Sequence, residues 1–230
     1  MMDVVLGGAM GLGLSSLLRL QAQAAPHGLR YGPDPSTHTR CTVGGMIGNN
    51  SCGAHSVMAG KTVENIEALE ILTYDGLRMW VGPTTDDELA NIIAAGGRRG
   101  EIYAALKALR DKYAGLIRSR YPKIKRRVSG YNLDQLLPEN GFNVARALVG
   151  TEGSCALTLQ ARTKLVHSPS KRVMLLLGFP DIYVAGDAVP EILPFGPIAS
   201  KPVAMSNSFR CAASFADSRS PATCSRMNRS

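Results

Sequence analysis

The sequence predicts an α+β protein with a mixed or antiparallel sheet and helices on its flanks. Three stretches carry that expectation. Asp75-Gly76 stands between the β-prone runs Leu69 to Tyr74 and Leu77 to Val81, a strong hairpin signal. From Glu101 to Pro122, Ile102, Leu106, Leu109, Tyr113 and Leu116 recur at helical spacing, as on a surface helix with one buried face. "CALTLQARTKLV", residues 155–166, alternates as a strand does. With 230 residues and 45% apolar content, the chain is long and apolar enough for a real core, which excludes disorder throughout.

The elements follow in order. The opening "MMDVVLGGAMGLGLSSLLRLQAQAAPHG" has an apolar run before Ala-Gln-Ala, as a signal peptide does. Its first residues nevertheless include Asp3 and no Lys or Arg, and the run is too short and glycine-rich to span a bilayer. A cytoplasmic start, or a start inside a longer reading frame, is expected. After the hairpin, Thr85 with Glu88 three residues on makes a capping box, opening a short helix that Gly96-Gly97 should end. Then come the long helix and, after Pro122, the densest positive cluster, Lys123, Lys125, Arg126 and Arg127. "VARALVG", residues 144–150, is expected as a strand, Thr151-Glu152-Gly153 as a turn, and 155–166 as the alternating strand. "KRVMLLLGFPDIYVAGDAVPEILPF" is expected to be a buried strand leading into a helix, as if a further domain were starting. The segment 199–230, rich in Ser and Arg without a sustained period, is expected to be disordered.

The formal net charge of +8 suits an anionic partner, but the basic residues are concentrated in a few places, so the implication is local. Lys123 to Arg127 reads first as a solvated loop or helix end. A flavin phosphate or an anionic substrate is the sharper alternative, and nucleic acid the weakest, because the neighbouring aromatics are limited to Tyr121 and Tyr131. Cys41, Cys52, Cys155, Cys211 and Cys224 form no CxxC pair, and an odd count argues against a complete disulfide framework, as expected of reduced thiols in the cytoplasm. Cys41 and Cys52 have no second Cys or His pair at ligand spacing, so packing rather than a metal is expected there, and no clustered run suits an iron–sulfur centre.

One stretch invites a ligand. "GPDPSTHTRCTVGGMIGNNSCG", residues 32–53, has no acidic side chain after Asp34. Gly44, Gly45, Gly48 and Gly53 allow close backbone approach, while Ser36, Thr37, Thr42, Asn49, Asn50 and Ser51 offer short neutral hydrogen-bonding groups. Such a surface suits a large planar or phosphorylated cofactor rather than an acid–base centre. No GxGxxG stands between a strand and a helix, and there is no GxxxxGK[ST], so neither a dinucleotide fingerprint nor a phosphate loop is supported. Glycine-rich turns without a ligand are as common, and composition alone leaves the choice open.

The order of motifs decides it. "GPDPSTHTRCTVGGMIGNNSCG", "GKTVENIEALEILTYDG", "GYNLDQLL" and "LVGTEGSCALTLQARTKLV" together resemble the FAD-linked oxidases and dehydrogenases of the vanillyl-alcohol oxidase type, which carry a PCMH-type FAD-binding domain. The likeness covers roughly residues 26–195 and is nearest to large bacterial D-lactate and D-2-hydroxyglutarate dehydrogenase-like proteins that join a flavin part to an iron–sulfur part. It implies that Pro33, Asp34, Pro35, Ser36, Thr42, Gly44 and Gly45 lie along FAD and its diphosphate. Asn49, Asn50, Ser51, Cys52 and Gly53 would form a second cofactor loop. Gly150, Thr151, Glu152, Gly153, Ser154 and Thr158 would close over the cofactor, although Cys155-Ala156-Leu157 replaces the family's Leu-Gly-Ile. For Glu152 an ordinary turn carboxylate is the competing reading.

The resemblance also implies a reaction: a hydride passes from the α-carbon of a 2-hydroxy acid to the flavin, and the electrons go on to a quinone, cytochrome or iron–sulfur acceptor. It implies the second half of a PCMH-type domain, residues 26–168, then the truncated start of a substrate-covering cap domain, 169–198. Residues 1–25 and 199–230 would stand outside, because nothing before Ala25 resembles the family's "RGGGTS"-like diphosphate loop. A frame shift, a gene remnant or a misplaced start would give such ends, and the chain alone is expected to be inactive. His27, His38, His55 and His167 are expected to be loop histidines without catalytic duty. The alternatives are a flavin-binding or interaction module without chemistry and, weakest, a basic nucleic-acid-binding protein.

Overall fold

The computed structural model describes residues 3–7, 16–205 and 208–216. Strand β1, Asp3–Gly7, is followed by helix α1, Leu17–Ala24, capped by Ser16, and by β2, Leu29–Arg30. Three short helices come next: α2, Val43–Asn49; α3, Ser56–Ala59; and α4, Thr62–Asn65. The predicted hairpin is present as β3, Ile66–Leu72, and β4, Arg78–Val81, antiparallel with Leu69 opposite Val81 and Leu72 opposite Arg78. Inside it the Glu70 carboxylate, on a buried residue, accepts two hydrogen bonds from the Arg78 guanidinium, at 2.6 and 3.0 Å.

Helix α5, Asp86–Ala95, starts at the predicted capping box. The Thr85 hydroxyl accepts from the Glu88 N–H at 3.3 Å and the Glu88 carboxylate from the Thr85 N–H at 2.9 Å. Gly96, in the left-handed half of φ space at 68°, ends it. The long helix α6, Gly97–Arg120, lies where expected, and Ile102, Leu106 and Leu109 of the expected face pack partly buried against the core, but its most buried positions lie to one side of that face. Tyr103, Arg110 and Ile117 are buried, whereas Tyr113 and Leu116 are 36% and 55% exposed. Phe142 explains the rotation: its ring lies 6.3 Å from that of Tyr103 and beneath the Arg110 guanidinium at 5.3 Å, so an arginine stem takes a place that apolar spacing gives to leucine.

Residues 144–150 do not form the expected strand. Val144–Leu148 is a short helix, α7, capped by the Asn143 side chain, which accepts from the Arg146 N–H at 3.0 Å. The alternating strand holds as β5, Leu157–Lys164, followed by β6, Val166–His167. Strand β5 is central in an antiparallel sheet of order β1-β5-β3-β4, while β2 and β6 pair separately. The core lies between that sheet and the helices, with Leu20, Met46, Ile47, Ile66, Leu69 and Tyr103 all buried.

Beyond it, β7, Arg172–Phe179, leads into α8, Ile182–Asp187, and α9, Val189–Ile192. The strand is as expected, its burial is not: Val173, Met174 and Leu176 are 53%, 73% and 45% exposed. It is held by backbone pairing, from Arg172 opposite Ala216 to Phe179 opposite Phe209. Where the pattern predicts disorder from residue 199, the structure has β8, Ala199–Met205, and β9, Ser208–Ala216, in a sheet of order β7-β9-β8. An apolar run such as β7 offers a pairing edge that periodicity inside residues 199–216 does not reveal, and Pro202 sits on the edge strand, where a missing N–H is tolerated. Residues 217–230 lie outside the described residues. No described helix is long and apolar enough to cross a membrane.

Candidate functional site

The site is built on α2 and the turn that docks against it. Thr42 caps α2, its hydroxyl accepting from the Gly45 N–H at 3.1 Å. Asn50 ends the helix in a left-handed conformation, φ 53°, which asparagine tolerates better than most residues. Its buried side chain accepts from the Val63 N–H at 3.0 Å and so joins α2 to α4. Two carbonyls at the end of α2 then find partners far along the chain: Ile47 accepts from the Gly150 N–H and Gly48 from the Glu152 N–H, each at 2.9 Å. Residue Glu152 has φ 52°, so the turn at 151–153 presents its backbone in a conformation costly for a branched or bulky residue.

Between these walls lies a cleft of about 370 Å³. Gly44, Gly45, Gly48 and Asn49 line one side, Thr151, Glu152, Gly153 and Thr158 the other, with Ile47, Ile71, Leu148 and Leu157 as apolar surface. A second cleft of about 670 Å³ shares Asn49, Thr151 and Glu152 and adds Gly150, Ser154 and the segment Val128 to Tyr131. Tyr131 closes that side, its hydroxyl 2.8 Å from the Ser154 hydroxyl, and the Tyr74 hydroxyl donates to the Gly153 carbonyl. Among the described residues, Glu152 is the one charged side chain on the smaller cleft. The polar part of its lining is otherwise backbone, hydroxyl and amide, a set that can hydrogen-bond a polar rim without imposing charge, and the rest is apolar.

The remaining predicted residues lie elsewhere and pack on each other. Pro33 and Pro35 are buried and Ser36 is exposed. Asp34 accepts from the His55 N–H at 3.2 Å, pairs with the His55 ring at Nδ1, and lies 3.7 Å from the Arg30 guanidinium. Partial burial opposes ionisation of Asp34, but the His55 hydrogen bonds and the nearby positive charge outweigh it, so its carboxyl is held below the ordinary carboxylate value. A Cβ on Gly53 would stand 1.8 Å from the Asp34 carbonyl oxygen, which shows how tightly the two loops meet. The Ser51 hydroxyl donates to the Asn49 side chain, and the Arg126 guanidinium donates to Cys52 Sγ and to the Gly53 carbonyl, both at 3.3 Å.

The predicted residues thus fall into two groups: those that line the two clefts, and those outside the two linings, among which Asp34, Cys52 and Gly53 are held by contacts between loops. Sequence reasoning gave His55 no partner; nothing in the sequence pairs two loop residues so far apart. It also passed over Ser129 and Tyr131 as cleft residues, although "GYNL" was among the motifs.

Residues 15–82 match the family described as FAD binding domain, a span that starts inside the segment 1–25. The D-2-hydroxyglutarate dehydrogenase of Pseudomonas putida is 35% identical over 158 residues, which cover 68% of this chain and 16% of that protein. That of Haemophilus influenzae is 32% identical over 181 residues, 74% of this chain and 17% of that one. The glycolate oxidase subunit GlcD of Escherichia coli K12 is 26% identical over 199 residues, 86% and 30% respectively. The chain therefore spans about a sixth of the length of these dehydrogenases. A solved alkyldihydroxyacetonephosphate synthase shares the fold, with a TM-score of 0.56 over 94% of this chain and 35% of that one, at 14% identity.

Proposed function

We propose that this chain, whose residues 15–82 match the family described as FAD binding domain, is the flavin-binding portion of an oxidoreductase acting on a small 2-hydroxy acid. The single observation that carries this reading to particular residues is the glycine-lined cleft between α2 and the 150–154 turn. Its short neutral donors and bare backbone fit FAD, whose ring edges and ribityl chain need close approach rather than countercharge. Gly44, Gly45, Gly48 and Asn49 would hold the cofactor from one wall and Thr151, Glu152 and Thr158 from the other. Thr42, Asn50, Ser51, Cys52 and Gly53, with Pro33, Asp34, Pro35 and Ser36, would fix the loops behind them. Bound FAD would supply a two-electron acceptor for the hydride, leaving the protein to orient and polarise.

In this reading the flavin part runs from the start of the family match at residue 15 to about residue 168, and 169–198 begins the substrate domain. The substrate class rests on the relatives' names, D-2-hydroxyglutarate dehydrogenase and glycolate oxidase subunit. We place the protein in the cytoplasm on its odd cysteine count. Among the described residues the smaller cleft offers no imidazole or cation to hold a substrate carboxylate, so this chain is expected not to turn over by itself. Electrons would pass to a separate acceptor.

The test is reconstitution with FAD, gel filtration, and anaerobic addition of D-2-hydroxyglutarate, glycolate or D-lactate. Flavin absorbance that travels with the protein and is not bleached is the expected result. Bleaching would overturn the inactivity of the isolated chain, and protein that emerges colourless would overturn the flavin assignment.

A further inference from the structure

We propose that the groove between α3–α4 and the basic segment 122–127 is a binding site for a nucleoside phosphate. It does not use the residues assigned to the flavin, and only one of its two possible ligands, the adenylate end of FAD, rests on that assignment. The groove encloses about 620 Å³, room for a mononucleotide-sized ligand.

Its charge is one-sided. Lys61, Lys123, Lys125, Arg126 and Arg127 line it, against the carboxylates of Glu64 and Asp134. Both carboxylates are already engaged: Glu64 pairs with the Lys61 ammonium at 2.9 Å and Asp134 with the Arg127 guanidinium at 2.6 Å. Lys61 also donates to the Lys125 carbonyl at 2.7 Å, which fixes the basic segment against α4. Arg126 spends its hydrogen bonds on a thiol and a backbone carbonyl, not on an anion. Lys123, Lys125 and Arg126 thus have no carboxylate partner among the described residues, and they share one groove. Like charges gathered on a braced loop repel one another, and a multivalent anion between them relieves that repulsion.

The rest of the lining selects among anions. Val57, Met58 and Ile124 are 45%, 40% and 64% exposed and all belong to the groove. Exposed apolar side chains beside unpaired cations suit a ligand with a flat apolar part joined to a phosphate, which is the chemistry of a nucleotide. Two sources share that chemistry, a free nucleotide and the adenylate end of FAD.

Calorimetric titration of the full chain with ADP tests the site. Saturable one-to-one binding that weakens with added salt is expected, and the double variant Lys123→Gln/Lys125→Gln should weaken it roughly ten-fold with no change in melting temperature. Both side chains are exposed, and the Lys125 carbonyl that Lys61 uses is untouched by the substitution. If FAD displaces ADP, the cofactor's own adenylate is the ligand; if both bind together, a free nucleotide is. No saturable ADP binding, equal binding by the double variant, or adenosine binding as tightly as ADP would overturn the proposal. Riboflavin, which has no phosphate, separates the two readings. Its failure to bind beside intact ADP binding would sink the flavin cleft alone, and retained riboflavin beside absent ADP binding would sink the groove alone.

Discussion

Gly48 and Gly53 belong to one glycine-rich stretch, yet their missing side chains do opposite things. A Cβ on Gly48 would meet Glu152 Cα at 3.7 Å, an ordinary contact at the edge of an open cleft. A Cβ on Gly53 would strike the Asp34 backbone, with its carbonyl oxygen at 1.8 Å and its carbonyl carbon at 2.4 Å. The first glycine leaves room for a ligand; the second leaves room for the protein itself. Glycine content in a cofactor-like motif is therefore not a count of ligand contacts. Part of it serves to bring two loops together so that the rest stays open.

Substitutions can break this contrast. The largest effect is expected from Gly53→Ala, which must push two backbone segments apart and should lower stability by about 2–3 kcal/mol. The reading is a lower urea midpoint at unchanged m-value, and an unchanged midpoint would mean that the loops are not in contact. Next comes Asp34→Asn, which removes the charged partner of His55 and Arg30 and should cost about 1–2 kcal/mol near neutral pH. Its pH dependence has a definite sign. The folded state holds the Asp34 carboxyl below its ordinary 3.8, so the contribution is fully present above that value and is lost as pH falls through the lower folded-state value. The gap between wild type and Asp34→Asn in acid-unfolding curves should accordingly close below about pH 4.

On the cleft side the effects fall on the ligand. Gly48→Ala should change stability by less than about 1 kcal/mol, since alanine favours the helix there. It should weaken FAD retention about five-fold, as a methyl group narrows the wall, measured by flavin fluorescence titration. Smallest is Glu152→Gly. Relief of a left-handed non-glycine residue, offset by glycine's entropy, should raise the melting temperature slightly, by less than about 1 kcal/mol in stability. A marked destabilisation instead would mean that the Glu152 side chain, and not only its backbone, holds the turn.

What the sequence made legible follows the same division. The hairpin at Asp75-Gly76 and the box at Thr85 and Glu88 are local signals, complete within a few residues, and both stand as expected. Failures came where a distant partner decides. The phase of α6 depends on Phe142 lying under Arg110; the helix at 144–148 is the exception, a local Asn143 cap that stands before an apolar run equally suited to a strand. Strands β8 and β9 depend on the edge that β7 offers. The cleft shows the same limit. Its ordered motifs marked Gly44, Asn49, Thr151 and Thr158, but only folding separates them from Asp34, Cys52 and Gly53, which are not part of its lining.

The two backbone bonds from Gly150 and Glu152 to the end of α2 close a long excursion of the chain, which in between touches the two clefts through Ile71, Val128 to Tyr131 and Leu148 and otherwise runs clear of them. Closing a long loop costs little more than closing a shorter one, about 0.6 kcal/mol for each doubling of length. Segments can therefore be lengthened or exchanged within that excursion while the cleft keeps its shape. Helix α6 and the basic segment after it occupy it here. In relatives, differences in chain length are expected to gather in this interval, so that the same pair of walls can be furnished with different neighbours.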